Sequence, residues 1–171
     1  MKAFLVITLS IPLVLSGCAA RLGRLNDNQR AERLAIERGR LTELKDPIQR
    51  TKSYIIISTL LLDFITGAAH DHQADVMRPL LDQYTMAIRS ARDTIVNSDR
   101  DPTRNPAGYK DLELALRQQT RRLDDVGRTL TLDERAEVEV ARSVATMIRA
   151  ELIRLIFPQS KVSPSFRQLA T

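Results

Sequence analysis

The stretch from Ile48 to Ile65 constrains the fold more than any other. It contains Tyr54-Ile55-Ile56-Ile57 and Leu60-Leu61-Leu62 and no turn-forming residue. Three consecutive isoleucines also suit a strand, but an uninterrupted run of this length is far beyond a typical strand, so length favours a helix. Apolar residues fall nearly all round its helical wheel, the pattern of a helix surrounded by others. A membrane span is the competing expectation, opposed by the shortness of the fully apolar run and by Asp63 within it. The spacing predicts a core helix over Pro47 to Gly67, opened by Asp46 as N-cap and Pro47 at the first helical position.

Four further helices follow from periodicity. Gln29 to Lys45 carries the narrow stripe Leu34, Leu41, Leu44, with Arg33 and Glu37 as a surface pair four residues apart. After a break at Gly67-Ala68-Ala69-His70-Asp71-His72, a third helix spans Gln73 to Asn97, with Met77, Leu80, Leu81, Tyr84, Ile88, Ala91 and Ile95 on one face. Pro79 predicts a kink there, or a start near Arg78. The loop Ser98 to Gly108 holds Asp101-Pro102 and Asn105-Pro106. Tyr109 to Leu130 forms the fourth helix, with Leu112, Leu116, Leu123 and Val126 in one stripe and Arg117, Arg121, Arg122 and Arg128 mainly off it. Thr131 and Glu134 read as a capping box opening a fifth helix, which Pro158 ends. The expected fold is all-α: an antiparallel bundle of four main helices, with the N-terminal helix packed alongside or extending toward the membrane. Segments 47–97 and 107–157 are equal in length, and a shift of 61 lays Ile48, Ile55 and Leu62 on Tyr109, Leu116 and Leu123, a suggestion of duplication.

Ahead of the helices lies a different kind of sequence. Lys2 is followed by the largely apolar run Ala3 to Leu15, which as a helix would rise only about 20 Å against a hydrocarbon core of about 30 Å. That is a secretory leader rather than a span. Its end, Leu15-Ser16-Gly17-Cys18, resembles the lipobox of bacterial lipoprotein precursors at every place. The resemblance implies cleavage between Gly17 and Cys18, two acyl chains on the Cys18 thiol and acylation of the new amino group. With Ala19 where an Asp would hold such proteins at the inner membrane, it also implies sorting to the periplasmic side of the outer membrane. Two or three acyl chains anchor firmly, because each buried methylene contributes about 0.8 kcal/mol.

This divides the chain into a signal peptide (1–17), a lipidated tether (18–30), a helical domain (31–157) and a polar tail (158–171). Cys18 is the only cysteine, so the exported domain relies on its core rather than on disulfides. Within that domain, Asp46-Pro47, Tyr54 and Leu80-Leu81-Asp82-Gln83-Tyr84 resemble uncharacterised helical domains of bacterial exported proteins, which implies fold and no activity.

Candidate chemistry is sparse. No nucleophile elbow or phosphate-binding loop occurs, and the two histidines fall in one turn. His70, His72 and Asp75 are the weak candidates for a metal, but two residues of separation turn the imidazoles about 200° apart on a helix, and an exposed polar turn is the expectation. No cofactor is expected. Asp63, inside the core helix, calls for an arginine, expected from the fourth helix. Asp124-Asp125 and Glu137 with Glu139 read as helix surface. The net charge of +5 is mild, and no aromatic-basic platform supports nucleic-acid binding. The sequence therefore points to a non-enzymatic, membrane-tethered interaction or scaffold module with a protein partner. The alternative is a module that binds an apolar ligand or unfolded chain, marked by a sizeable apolar groove between the second and third helices or by a large exposed apolar patch.

Overall fold

The structure, a computed structural model, describes residues 26–158; the leader, Cys18 and the tail from residue 159 lie outside the described residues. The described chain is all-helical, as expected: α1 (Asp27–Glu43), α2 (Pro47–His70), α3 (Ala74–Val96), α4 (Ala107–Thr129) and α5 (Leu132–Ile156).

Local chemistry sets the boundaries. The Asn26 side chain accepts from the Gln29 N–H at 2.9 Å while Gln29 accepts from the Asn26 N–H at 3.0 Å. This reciprocal cap starts α1 at Asp27, so residues expected in the tether belong to the first helical turn. Asp46 caps α2, accepting from the Gln49 N–H at 3.2 Å. Gly67-Ala68-Ala69 does not break α2, which runs on to His70; the turn is Asp71-His72-Gln73, with His72 at φ 54°. Pro79 lies inside α3 instead of starting it. The carbonyl its missing N–H leaves free is that of Asp75, an exposed residue, which leaves it open to solvent. Glu134 accepts from the Thr131 N–H at 3.1 Å and hydroxyl at 2.8 Å, opening α5 as the sequence indicates.

α2 is the packing centre, in contact with α1, α3 and α4. Its length and mean hydropathy of 1.4 over 18 residues would suffice for a membrane span, yet half of that stretch is buried inside the molecule. Leu61, Leu62 and Ile65 are almost completely buried, together with Tyr84, Ile88, Leu116, Leu123, Ala145 and Leu152 from α3, α4 and α5.

Ion pairs and hydrogen bonds between helices fix their directions. Lys52 meets Asp111, Ser58 meets Gln119 and Asp63 meets Arg122, so α2 and α4 run the same way. Arg78 meets Glu137 and Arg92 meets Glu151, so α3 and α5 do too. By contrast Glu113 meets Arg149 and Gly127 meets Arg135, which makes α4 and α5 antiparallel. The short turns thus make two antiparallel hairpins, α2–α3 and α4–α5, laid side by side in parallel. Gly108 lets α4 begin close against the first hairpin: a Cβ there would meet Ile95 Cδ1 at 2.6 Å and Ile48 Cγ1 at 3.6 Å.

Candidate functional site

An open cleft lies where α2 and α4 end together. Its volume is about 520 Å³, and it is lined by Thr66, Ala69, His70, Arg122, Val126 and Thr129, among others. His72 and Asp125 also reach it. The feature that would mark the ligand-binding alternative is a sizeable apolar groove between the second and third helices, or a large exposed apolar patch. Those two helices instead pack most extensively, and the opening falls between α2 and α4.

The histidines keep solvent-facing positions. His70 is within 2.9 Å of the Asp71 carboxylate through Nδ1, with its side chain 87% exposed. His72 sits in the turn, and Asp75 lies in the first turn of α3, outside the cleft lining. Among the described residues, no three His, Cys, Asp or Glu side chains come together as metal ligands.

Asp63 finds the partner expected of it. The Arg122 guanidinium donates to its carboxylate at 2.7 Å and reaches the Thr66 hydroxyl at 3.4 Å. Arg30 of α1 approaches the other carboxylate oxygen at 3.9 Å. Asp63 therefore stands at the edge of the core as a link among α1, α2 and α4, and Arg122 carries that link to the cleft wall.

Beneath the cleft is a polar contact within the apolar core. The Gln119 amide donates to the Ser58 hydroxyl at 2.8 Å and the Thr59 hydroxyl at 3.1 Å, while its carbonyl accepts from the Tyr84 hydroxyl at 3.2 Å. Burial pushes the Tyr84 hydroxyl well above the usual tyrosine range, opposed only in part by Arg122, so Tyr84 remains a proton donor. These side chains join α2, α3 and α4 at one height. Sequence reading passed over Gln119, although the gap between Leu116 and Leu123 in the fourth helix's stripe is where it sits.

Two glutamates also proved to be interior. Glu37, read as half of a surface pair, is fully buried: it accepts from the Ser53 hydroxyl at 3.0 Å and lies 3.1 Å from Arg33 and 3.4 Å from Arg40. Glu113 is shared by Arg149 at 2.8 Å and Arg117 at 3.0 Å. Burial alone would raise its pKa, but the hydrogen bonds from Arg149 and Arg117 outweigh that and hold it below the ordinary carboxylate value. Nearby, Lys110, Leu114, Arg117, Ile153, Ile156 and Phe157 line a groove of about 380 Å³ between the start of α4 and the end of α5.

Charge separates along the molecule. Residues 26–158 contain 21 Lys and Arg and 21 Asp and Glu, so the chain's surplus of positive charge lies outside the helical domain. With each helix divided at its midpoint, the half containing Asn26 and the α2–α3 turn has 8 basic and 12 acidic residues; the other half has 13 and 9. The histidine-rimmed cleft lies at the acidic end and the Leu114–Phe157 groove at the basic end.

No protein-family model matches the chain, and comparison with curated proteins and with solved structures likewise gives no match.

Proposed function

We propose that the protein is a lipid-anchored, non-enzymatic component of the cell envelope whose helical domain serves as an interaction module for a protein partner. The observation that carries this reading is Leu15-Ser16-Gly17-Cys18, preceded by Lys2 and an apolar run. Acyl chains on Cys18 would hold the protein on the periplasmic side of the outer membrane. Seven residues lie between Cys18 and the cap at Asn26, eight chain steps with a reach of at most about 29 Å, so the domain would stand next to the bilayer with α1 leading into it. In this reading the four long helices act as one bundle and α1 as its strut toward the anchor. Intact-mass measurement of protein purified from membranes tests the proposal. Cys18 should carry diacylglycerol and fatty acyl mass, and Cys18→Ala should move the protein out of the membrane fraction. An unmodified thiol on a membrane-free wild type overturns it.

One observation favours a second reading, a binding module for a small apolar ligand: the cleft of about 520 Å³ between α2 and α4, with Ala69 and Val126 in its wall. A palmitate titration followed by calorimetry tests it. Saturable binding that Val126→Trp abolishes supports the ligand reading; heat indistinguishable from dilution removes it.

A further inference from the structure

We infer that the groove between the start of α4 and the end of α5 docks an acidic amphipathic helix of a partner protein. The inference rests on the interaction-module reading above and names the chemistry of the partner. Three observations carry it. First, the groove presents large apolar side chains to water on both walls: Leu114 from α4 is 51% exposed and Phe157 after α5 is 65% exposed, with Ile153 between them. A groove between two helices, with apolar anchors at its base, is the shape that accepts the apolar face of a third helix.

Second, the surrounding charge is unbalanced. Arg117 and Arg149 share the single carboxylate of Glu113, leaving one positive charge in excess. Lys110, on the same wall, takes part in no ion pair among the described residues. The groove also belongs to the basic half of the molecule, so a ligand flanking its apolar residues with Asp or Glu is steered toward it and one carrying Lys is repelled.

Third, two nearer occupants are disfavoured by charge and position. Residues 159–171 follow Pro158 in sequence, but they carry Lys161 and Arg167 and no acidic residue, the wrong charge for a basic rim. A second copy would have to offer its acidic end. Copies tethered side by side through Cys18 hold their acidic ends level at the membrane, away from the neighbour's groove.

The test uses the full chain in non-ionic detergent and two fluorescent synthetic helices of about five turns, both with Leu at helical spacing. One has Glu at the polar positions and the other Lys. The Glu peptide should bind at least about 10-fold tighter than the Lys peptide, and its affinity should fall as salt rises. Lys110→Glu should weaken the Glu peptide about 10-fold, and Leu114→Ser should weaken it with helicity unchanged by circular dichroism. Should Leu114→Ser fail to fold, Lys110→Glu decides. Equal binding of both peptides, no binding, or indifference to Lys110→Glu overturns the proposal. Two further results would also overturn it: concentration-dependent self-association that Lys110→Glu abolishes, or a large gain in affinity on deleting residues 159–171. Cys18→Ala should bind the peptide as the wild type does, so failure of the anchor and failure of the groove are read separately.

Discussion

The two hairpins are nearly equal in length and differ in how much of the leading helix each leaves exposed. α2 is enclosed by α1, α3 and α4, and it is apolar nearly all round. α4 also meets α2, α3 and α5, but its far side is open, and there the chain places Arg117, Arg121 and Arg128. The width of a helix's apolar stripe thus reports how much of its circumference is covered. The first hairpin gains stability by burial; the second keeps a surface available for charge and for the groove beside Leu114.

The largest effect should separate the hairpins directly. Leu62→Ala, at a fully buried site in α2, should lower unfolding free energy by about 2–5 kcal/mol, whereas Leu114→Ala on the open side of α4 should change it by less than about 0.5 kcal/mol. Urea denaturation of both variants checks this, and equal losses would erase the distinction. The seam between the hairpins comes next. Gln119→Ala leaves the hydroxyls of Tyr84, Ser58 and Thr59 without their shared partner and should cost about 1–3 kcal/mol. Replacing Ser58 by Ala in that background should then cost less than it does in the wild type, because the amide that donates to its hydroxyl is already gone and only the bond to the Ile55 carbonyl remains to be lost.

A smaller effect of about 1 kcal/mol should follow Glu113→Gln, with a pH dependence that gives its origin. The folded-state pKa of Glu113 is depressed, so its contribution is fully present above the ordinary glutamate value and is lost as pH falls through the depressed one. Wild type and Glu113→Gln should therefore differ at neutral pH and converge in acid; a difference independent of pH would mean the arginines do not hold the carboxylate. Smallest is Asp63→Asn, whose ion pair with Arg122 is about one-third exposed on each side and should contribute under about 1 kcal/mol. A thermal melt of that variant close to wild type is the expected result.

Much of the helix order was legible because it depends on neighbours in sequence. Asp46-Pro47, Thr131 with Glu134, and Pro158 mark helix ends through bonds made or lost within four residues. The stripe through Met77, Tyr84 and Ile95 likewise buries the face it indicates. What escaped were contacts whose partner lies far along the chain. Glu37 looks like a solvated helix charge until Ser53 is seen opposite it, and Gln119 like a surface amide until α2 and α3 supply its partners. The relation between hairpins was also hidden. Amphipathic stripes say that helices pack, but they do not distinguish a parallel neighbour from an antiparallel one. The cleft moved from the expected helix pair for the same reason, since it forms where two parallel helices finish together.

That parallel setting gives the architecture a direction. Equivalent points on the two hairpins meet after a nearly constant interval, from Lys52 and Asp111 to Arg92 and Glu151. A structure assembled by repeating one step has no intrinsic stopping point: a further pair of rods could be added against α4 and α5 by the same operation. The open side of α4, with Arg117, Arg121 and Arg128 facing water, acts as a terminus, ending the series and turning its last face toward other molecules.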